Sequence, residues 1–162
     1  YALLPIYTLG EGLSENASLY ALSAFSAGGI AMQYPLGRYA DRAGRQALMV
    51  LSATGVLIGI IALPFVVGNI AWLMALLFIW GGMVFGVYTA GLIMLGDEYP
   101  SESLVAVNAM FIIFYEAGAL VGPALSGAAM DKSPRHGFVS FLTVVAIMLL
   151  AITVYRRFRR AK

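Results

Sequence analysis

The 162-residue chain contains no cysteine. That excludes disulfides and thiolate metal sites, and leaves the redox compartment unspecified. Charge is almost as scarce: 11% of residues are Asp, Glu, Lys or Arg, against 61% that are hydrophobic. Soluble domains carry about 25% charged residues. So few charges cannot cover a water-facing surface, and a membrane protein is expected. No G-x-x-x-x-G-K-[ST] phosphate loop is present, so direct ATP use has no support. The single histidine, His136, lies in a loop beside Pro134 and Arg135. It reads as a solvated loop residue rather than a ligand, and no catalytic residue, metal site or cofactor is expected. No signal peptide is visible in this sequence. The chain opens on Tyr1-Ala2-Leu3-Leu4-Pro5-Ile6, already apolar and without Met, and reads as truncated rather than processed.

What is abundant is long apolar sequence. A membrane helix needs roughly 20 mostly apolar residues. Five stretches qualify or nearly so: Ala17–Tyr39, Ala47–Val67, Ile70–Leu95, Leu104–Met130 and Phe138–Tyr155. Tyr1–Leu9 reads as the end of a further helix. The even apolarity argues against surface helices with a polar stripe, and the alternation of a β-barrel is absent. Connections are short. Gly10-Glu11-Gly12-Leu13-Ser14-Glu15, Gly68-Asn69 and Asp97-Glu98-Tyr99-Pro100-Ser101-Glu102 read as turns between antiparallel helices, with Ser14 and Ser101 as expected N-caps.

The basic residues are distributed by side. Alternate connections carry Arg38, Arg42 and Arg45, then none, then Arg156, Arg157, Arg159, Arg160 and Lys162; the opposite side carries Lys132 and Arg135. Eight against two places the richer side, with the C-terminus, in the cytoplasm. The basic tail reads as an orientation signal or an anionic-lipid contact rather than a nucleic-acid site. Tyr99, Tyr155 and Trp72 read as interface anchors.

One motif occurs twice. Gly37-x-x-x-Asp41-Arg42-x-Gly44-Arg45 closes one span, and Gly127-x-x-x-Asp131-Lys132-x-Pro134-Arg135 closes another, offset by 90 residues. Ser14-Glu15 and Ser101-Glu102 open the same two spans. Three helices fill one period, and an odd number of spans inverts the second copy. Inverted three-helix repeats are an architecture of secondary transporters.

Gly37 to Gln46 resembles motif A of the major facilitator superfamily, G-x-x-x-D-[RK]-x-G-R-[RK], with Gln46 standing where a base is usual. The resemblance covers essentially the whole chain, and the run from Asp97 to Tyr155 is similar to the C-terminal half of the YcaD-like bacterial subgroup. First halves of the family often carry an arginine in the fourth helix, and Ile70–Leu95 has none. The resemblance therefore implies an all-α membrane protein, residues 1–162 forming the C-terminal half of a major-facilitator fold. One partial and five complete transmembrane helices, seven to twelve of the family, would form 3+3 inverted repeats. It implies a secondary transporter of a small organic solute in a bacterial inner membrane, with the N-terminal half of the same polypeptide as the missing partner. A membrane-embedded scaffold or sensor that kept the fold is the alternative.

In the family, motif A braces the closed cytoplasmic face. Here Asp41 would accept from Arg42, Arg45 or a neighbouring helix N-terminus, and Gly37 and Gly44 would allow close approach and a tight turn. A plain topogenic loop is the other reading. Small residues at four-residue spacing, among them Gly55/Gly59, Gly82/Gly86 and Gly118/Gly122, suit helix packing in lipid. Gly118-x-x-x-Gly122-Pro123 also resembles motif C, which marks antiporters when it lies in the fifth helix; in the eleventh it carries no direction. Pro123 is a candidate kink.

Glu116 lies roughly 18 Å into its span at helical rise, near the middle of a hydrocarbon core about 30 Å thick. A carboxyl there faces the central cavity or is neutral. The two readings are a proton-coupling or cation-binding group and a protonated acid hydrogen-bonded to a neighbouring helix. Trp80, Tyr88, Asn108, Tyr115 and Gln33 are further candidates for the substrate cavity, and equally for interhelical packing.

Overall fold

The computed structural model describes residues 2–133 and 136–160, for Arg160 the backbone only. Among these, seven helices and no strand occur: α1 (Leu4–Gly10), α2 (Glu15–Ala31), α3 (Gln33–Ala43), α4 (Arg45–Val66), α5 (Ile70–Glu98), α6 (Ser101–Lys132) and α7 (Gly137–Arg160). Four of them, α4 to α7, are long and apolar enough to cross a membrane.

The fifth expected span, Ala17–Tyr39, is divided into α2 and α3 at Met32. Pro35 is the cause. It has no N–H to donate to the carbonyl of Ala31, and its ring crowds that carbonyl. Gln33 lies at the break and repairs part of it, its Nε2 donating to the Gly29 carbonyl at 3.1 Å. By contrast α6 runs through Pro123 without a break, so the kink expected there does not interrupt the helix.

Caps explain most boundaries. Ser14 Oγ accepts from the Ala17 N–H at 3.3 Å, as expected. Asn69 caps α5, its Oδ1 accepting from Ala71 and Trp72 N–H, a stronger device than the bare turn read from Gly68-Asn69. Ser101 is not the cap of α6. Pro100 holds that position with extended backbone, and Ser101 is the first helical residue. Proline fixes φ near the value required there and ends α5 by denying it another donor.

The bundle is organised around α5, which packs against α2 and α4 along its length and touches α3 and α6; α7 packs on α4 and α6, and α1 on α2. The α2–α5 crossing is the tightest. A Cβ on Gly28 would strike the Phe78 carbonyl, and a Cβ on Gly81 would strike the Phe25 carbonyl. Each helix therefore presents a glycine to the backbone of the other. Beside this crossing Gly29 receives Phe85, Gly82 receives Met32, and Gly86 receives Ser52 and Leu36. Gly55 and Gly59 of α4 receive Met83 and Trp80. Lipid offers no hydrophobic drive between helices, so close van der Waals contact of this kind must hold the bundle.

The packing expected of Gly82 and Gly86 is thus present, whereas Gly118 and Gly122 have nothing within 4 Å of an added Cβ. Among described residues of α6 only Ser126 is buried. Gly118 and Gly122 of the α6 small-residue stripe therefore face open space among the described residues, while Ser126 is buried.

A Gly81→Val variant should lose about 1–3 kcal/mol, the usual cost of overpacking, because the α2 backbone opposite cannot rotate away. Gly96→Ala, where a Cβ meets open space, should gain up to about 1 kcal/mol of helix propensity. Thermal unfolding in detergent measures both; equal midpoints would show that the crossing does not limit stability.

Candidate functional site

Two groups of residues carry chemistry, and they lie at different levels of the bundle. The first is the motif at the α3–α4 junction. Gly44 has φ +90°, a left-handed conformation that turns the chain between the helices; a side chain there would be strained. This is the tight turn expected of Gly44. Gly37 has open space around it rather than a close neighbour.

The charges of the motif pair differently from the sequence reading. Asp41 and Arg42 are exposed, and neither makes an ion pair among the described residues. Arg45 pairs with Asp97, at the far end of α5, with both side chains about half exposed. Both partners stand at the unfavourable end of their own helix. Arg45 is the first residue of α4, where the macrodipole repels a cation, and Asp97 is in the last turn of α5, where it repels an anion. Joined, they cancel both penalties and tie the α3–α4 junction to the α5–α6 turn. Arg38 stays on α3, with Nη1 donating to the Tyr34 hydroxyl at 2.8 Å and the guanidinium over the same ring.

Two cavities open at this end. One, of about 360 Å³, is lined by Arg45, Gln46, Met94, Asp97 and Glu98. The other, of about 330 Å³, lies between α4, α5, α6 and α7, with Met49, Gly91, Tyr99, Phe111 and Arg156 in its wall, and shares Met94 and Glu98 with the first. Arg156 of the basic tail therefore lines a crevice rather than projecting wholly into solvent.

The second group lies mid-span on α5 and α6. Glu116 is the sixteenth of the 32 residues of α6. It is exposed and makes no hydrogen bond or ion pair among the described residues. Beside it, Tyr115 meets Tyr88 of α5 edge to face at a centroid distance of 5.0 Å. Phe111, one turn away, meets the same Tyr88 at 5.5 Å and seats on Gly91, where a Cβ would approach its ring to 3.2 Å. Asn108 and Tyr115, seven residues apart on a helix of 3.6 residues per turn, share a stripe, and Asn108 is half-buried.

Trp80 is not part of this group. It is buried, with Nε1 donating to the Val56 carbonyl of α4 at 3.1 Å and its ring edge-on to Phe25 of α2 at 5.3 Å. It locks three helices together. Gln33 is committed as well: Thr89 Oγ1 donates to its Oε1 at 2.7 Å while its Nε2 holds the α2 end. Phe111 and Thr89 were not singled out from sequence. Phe111 was hidden in the apolar run Phe111-Ile112-Ile113-Phe114, and its partner spacing to Tyr115 was the available signal.

The second copy of the motif leaves Gly127 with open space and Asp131 and Lys132 exposed on the last turn of α6; Arg135 lies outside the described residues. Gly137, the first residue of α7, seats against the end of α6, where a Cβ would strike the Ala129 carbonyl.

The family model of the Major Facilitator Superfamily matches residues 1–162. An uncharacterized MFS-type transporter of Enterobacter sp. (strain 638) is 29% identical over 153 residues, covering 94% of this chain and 39% of that protein. One from Yersinia pestis is 31% identical over 150 residues, covering 93% of this chain and 38% of that protein. One from Bacillus subtilis is 32% identical over 145 residues, covering 86% and 36%. The chain thus spans less than two-fifths of the length of these relatives. No solved structure matches. With a family model matching from end to end and a helical bundle of the expected membrane-spanning character, the chain belongs to the Major Facilitator Superfamily.

Proposed function

We propose that this chain is the C-terminal half of a proton-coupled secondary transporter. It would move a small organic solute by alternating access, in a bacterial inner membrane with the C-terminus in the cytoplasm. The observation that carries the reading is Glu116. It is the only charged residue between Glu102 and Asp131, no Lys or Arg stands between Arg45 and Lys132, and it projects from the middle of a helix that packs little against the rest of the chain. An ionised carboxylate at that depth costs about 2.5–3.5 kcal/mol even on lenient insertion scales. It is retained at low cost only against water, a proton or a cation. A solvated cavity between two halves provides that setting.

The Arg45–Asp97 pair fits the same reading as a latch. It joins the two turns that would close the cytoplasmic face, and in half-exposed surroundings it contributes little enough to open during a cycle. The basic excess on the Arg45 and Arg156 side supports the orientation, and the resemblance to the YcaD-like subgroup supports the assignment to the second half.

The direct test is solute-driven proton movement in vesicles containing the complete transporter. Glu116→Gln should abolish proton movement while leaving solute binding measurable; intact coupling in that variant would rule out the role assigned to Glu116. For the latch, a double-mutant cycle of Arg45→Ala and Asp97→Ala should give a coupling of about 0.2–1 kcal/mol in thermal unfolding. That coupling should shrink in 1 M salt, where screening acts over about 3 Å. A coupling unaffected by salt would point to a packing role instead.

A further inference from the structure

We infer that the crevice between α4, α5, α6 and α7 is a binding site for an anionic phospholipid of the cytoplasmic leaflet, with the phosphate held at Arg156 and the first part of one acyl chain laid toward Phe111. The inference takes only the orientation from the reading above. It adds a ligand that is not the transported solute, so its failure leaves the transporter reading standing.

The crevice is graded in polarity along its length. Glu98, Tyr99 and Arg156 line one part of its wall, and the apolar remainder includes Met49, Gly91 and Phe111. Gly91 and Glu98 are seven residues apart on α5, about 10 Å at helical rise. The polar groups belong to helix ends: Tyr99 is the C-cap of α5, and Arg156 stands in the last turns of α7. At the apolar end the Phe111 ring occupies the space that a side chain on Gly91 would need. The volume of about 330 Å³ lies at the lower end of the range for small-molecule sites, about 300–1,000 Å³. That room suits a headgroup and the start of one chain. A wholly polar solute would leave the apolar wall unmatched, and a plain hydrocarbon would leave Arg156 unmatched.

The bilayer has a route to this wall. Val145, Met148, Ile152 and Arg156 recur at helical spacing on one side of α7, and all four are exposed. The first three suit lipid chains. Arg156 therefore ends an apolar, exposed stripe and lines the crevice as well.

Charge then selects the headgroup. Glu98 in the wall opposes an anion, but the last seven residues hold five bases and no acid. Of the other bases at this end, Arg45 is paired with Asp97, and Arg159 is set over the Tyr155 ring. Arg156 is the one base among the described lining residues. Its guanidinium matches two phosphate oxygens at once, and Tyr99 adds a phenol in the same wall. Bases placed just cytoplasmic of a membrane helix attract the anionic lipids of that leaflet.

The experiment is equilibrium binding of spin-labelled phosphatidylglycerol to the complete polypeptide in detergent, with spin-labelled phosphatidylcholine of the same chains as the zwitterionic control. Phosphatidylglycerol should bind about fivefold tighter, the worth of one basic residue near an anionic surface. Arg156→Gln should remove that preference. Arg159→Gln, which changes a base of the same tail that does not line the crevice, should leave it within about twofold. Unchanged thermal unfolding of both variants excludes misfolding. Inorganic phosphate and glycerophosphoglycerol, which carry the anion without chains, should not displace the lipid at equal concentration. Displacement by either would make the crevice a soluble-phosphate site and overturn the lipid assignment. Equal binding of the two lipids, or a preference that survives Arg156→Gln, overturns the inference. So does an equal loss in Arg159→Gln, which would trace the preference to the tail as a whole.

Discussion

The reciprocal seating of Gly28 on the Phe78 backbone and Gly81 on the Phe25 backbone is the constraint on which the bundle depends. Because neither position has a side chain, α2 and α5 approach backbone to backbone, and the residues around the crossing are placed by that approach. Phe25 meets Trp80 edge-on, and Trp80 in turn fills the gap over Gly59 and donates to α4. One pair of glycines thereby orders three helices. In a medium where burial of apolar surface earns nothing between helices, dispersion at short range and a few interhelical hydrogen bonds must supply the stability. The fold uses one such bond at Trp80 and another at Gln33–Thr89.

This rigid part contrasts with what is attached to it. Only Ser126 of α6 is buried among described residues, and α6 meets α5 through Phe111 on Gly91 and the Tyr88–Tyr115 pair. At the other side of α5 the α2–α3 path is broken at Met32, so Arg38, Asp41 and Arg42 belong to a separate short helix, α3. The Arg45–Asp97 pair then joins the end of that path to the end of α5. Core and periphery therefore differ in kind. The core is fixed by sterics that allow one arrangement, and the periphery by aromatic contacts and a half-exposed ion pair that can be exchanged at small cost.

The sequence discloses these two parts unequally. Span positions were legible because apolar runs of membrane length leave few alternatives, and Ser14 and Gly44 were legible because a cap and a positive-φ turn each demand particular residues. The break at Met32 was available in Pro35 but was masked by an apolar stretch long enough to cross unaided. Which glycines pack was not legible. Gly82 and Gly118 share the same four-residue spacing, and what separates them is the neighbour brought opposite, Met32 in one case and open space among the described residues in the other. The same limit applied to Trp80 and Tyr88, eight residues apart on α5. Both were reasonable cavity candidates, yet one is enclosed by α2 and α4 and the other turns toward α6. The partner of Arg45 was hidden for a related reason: Asp41 is nearer in sequence, but Asp97 lies where two helix ends of opposite polarity converge.

The surface of α6 remains to be accounted for physically. Val105, Ile113, Phe114 and Leu120 are comfortable against lipid chains. Asn108 and Glu116 are not, because a polar group in hydrocarbon without a partner costs several kcal/mol. Asn108 shares the stripe of Tyr115 two turns away, and Glu116 follows Tyr115 in sequence. A helix exposed to lipid on all its free sides would gain from replacing these residues with leucine. Keeping a polar and aromatic strip there makes sense only if that strip faces water, ligand or protein. The relatives, more than twice as long as this chain, have enough further sequence to supply the opposing wall. On the transporter reading, then, the unpacked face of α6 is the side turned toward the solute path, and its low contact with the rest of the bundle is a condition of that role.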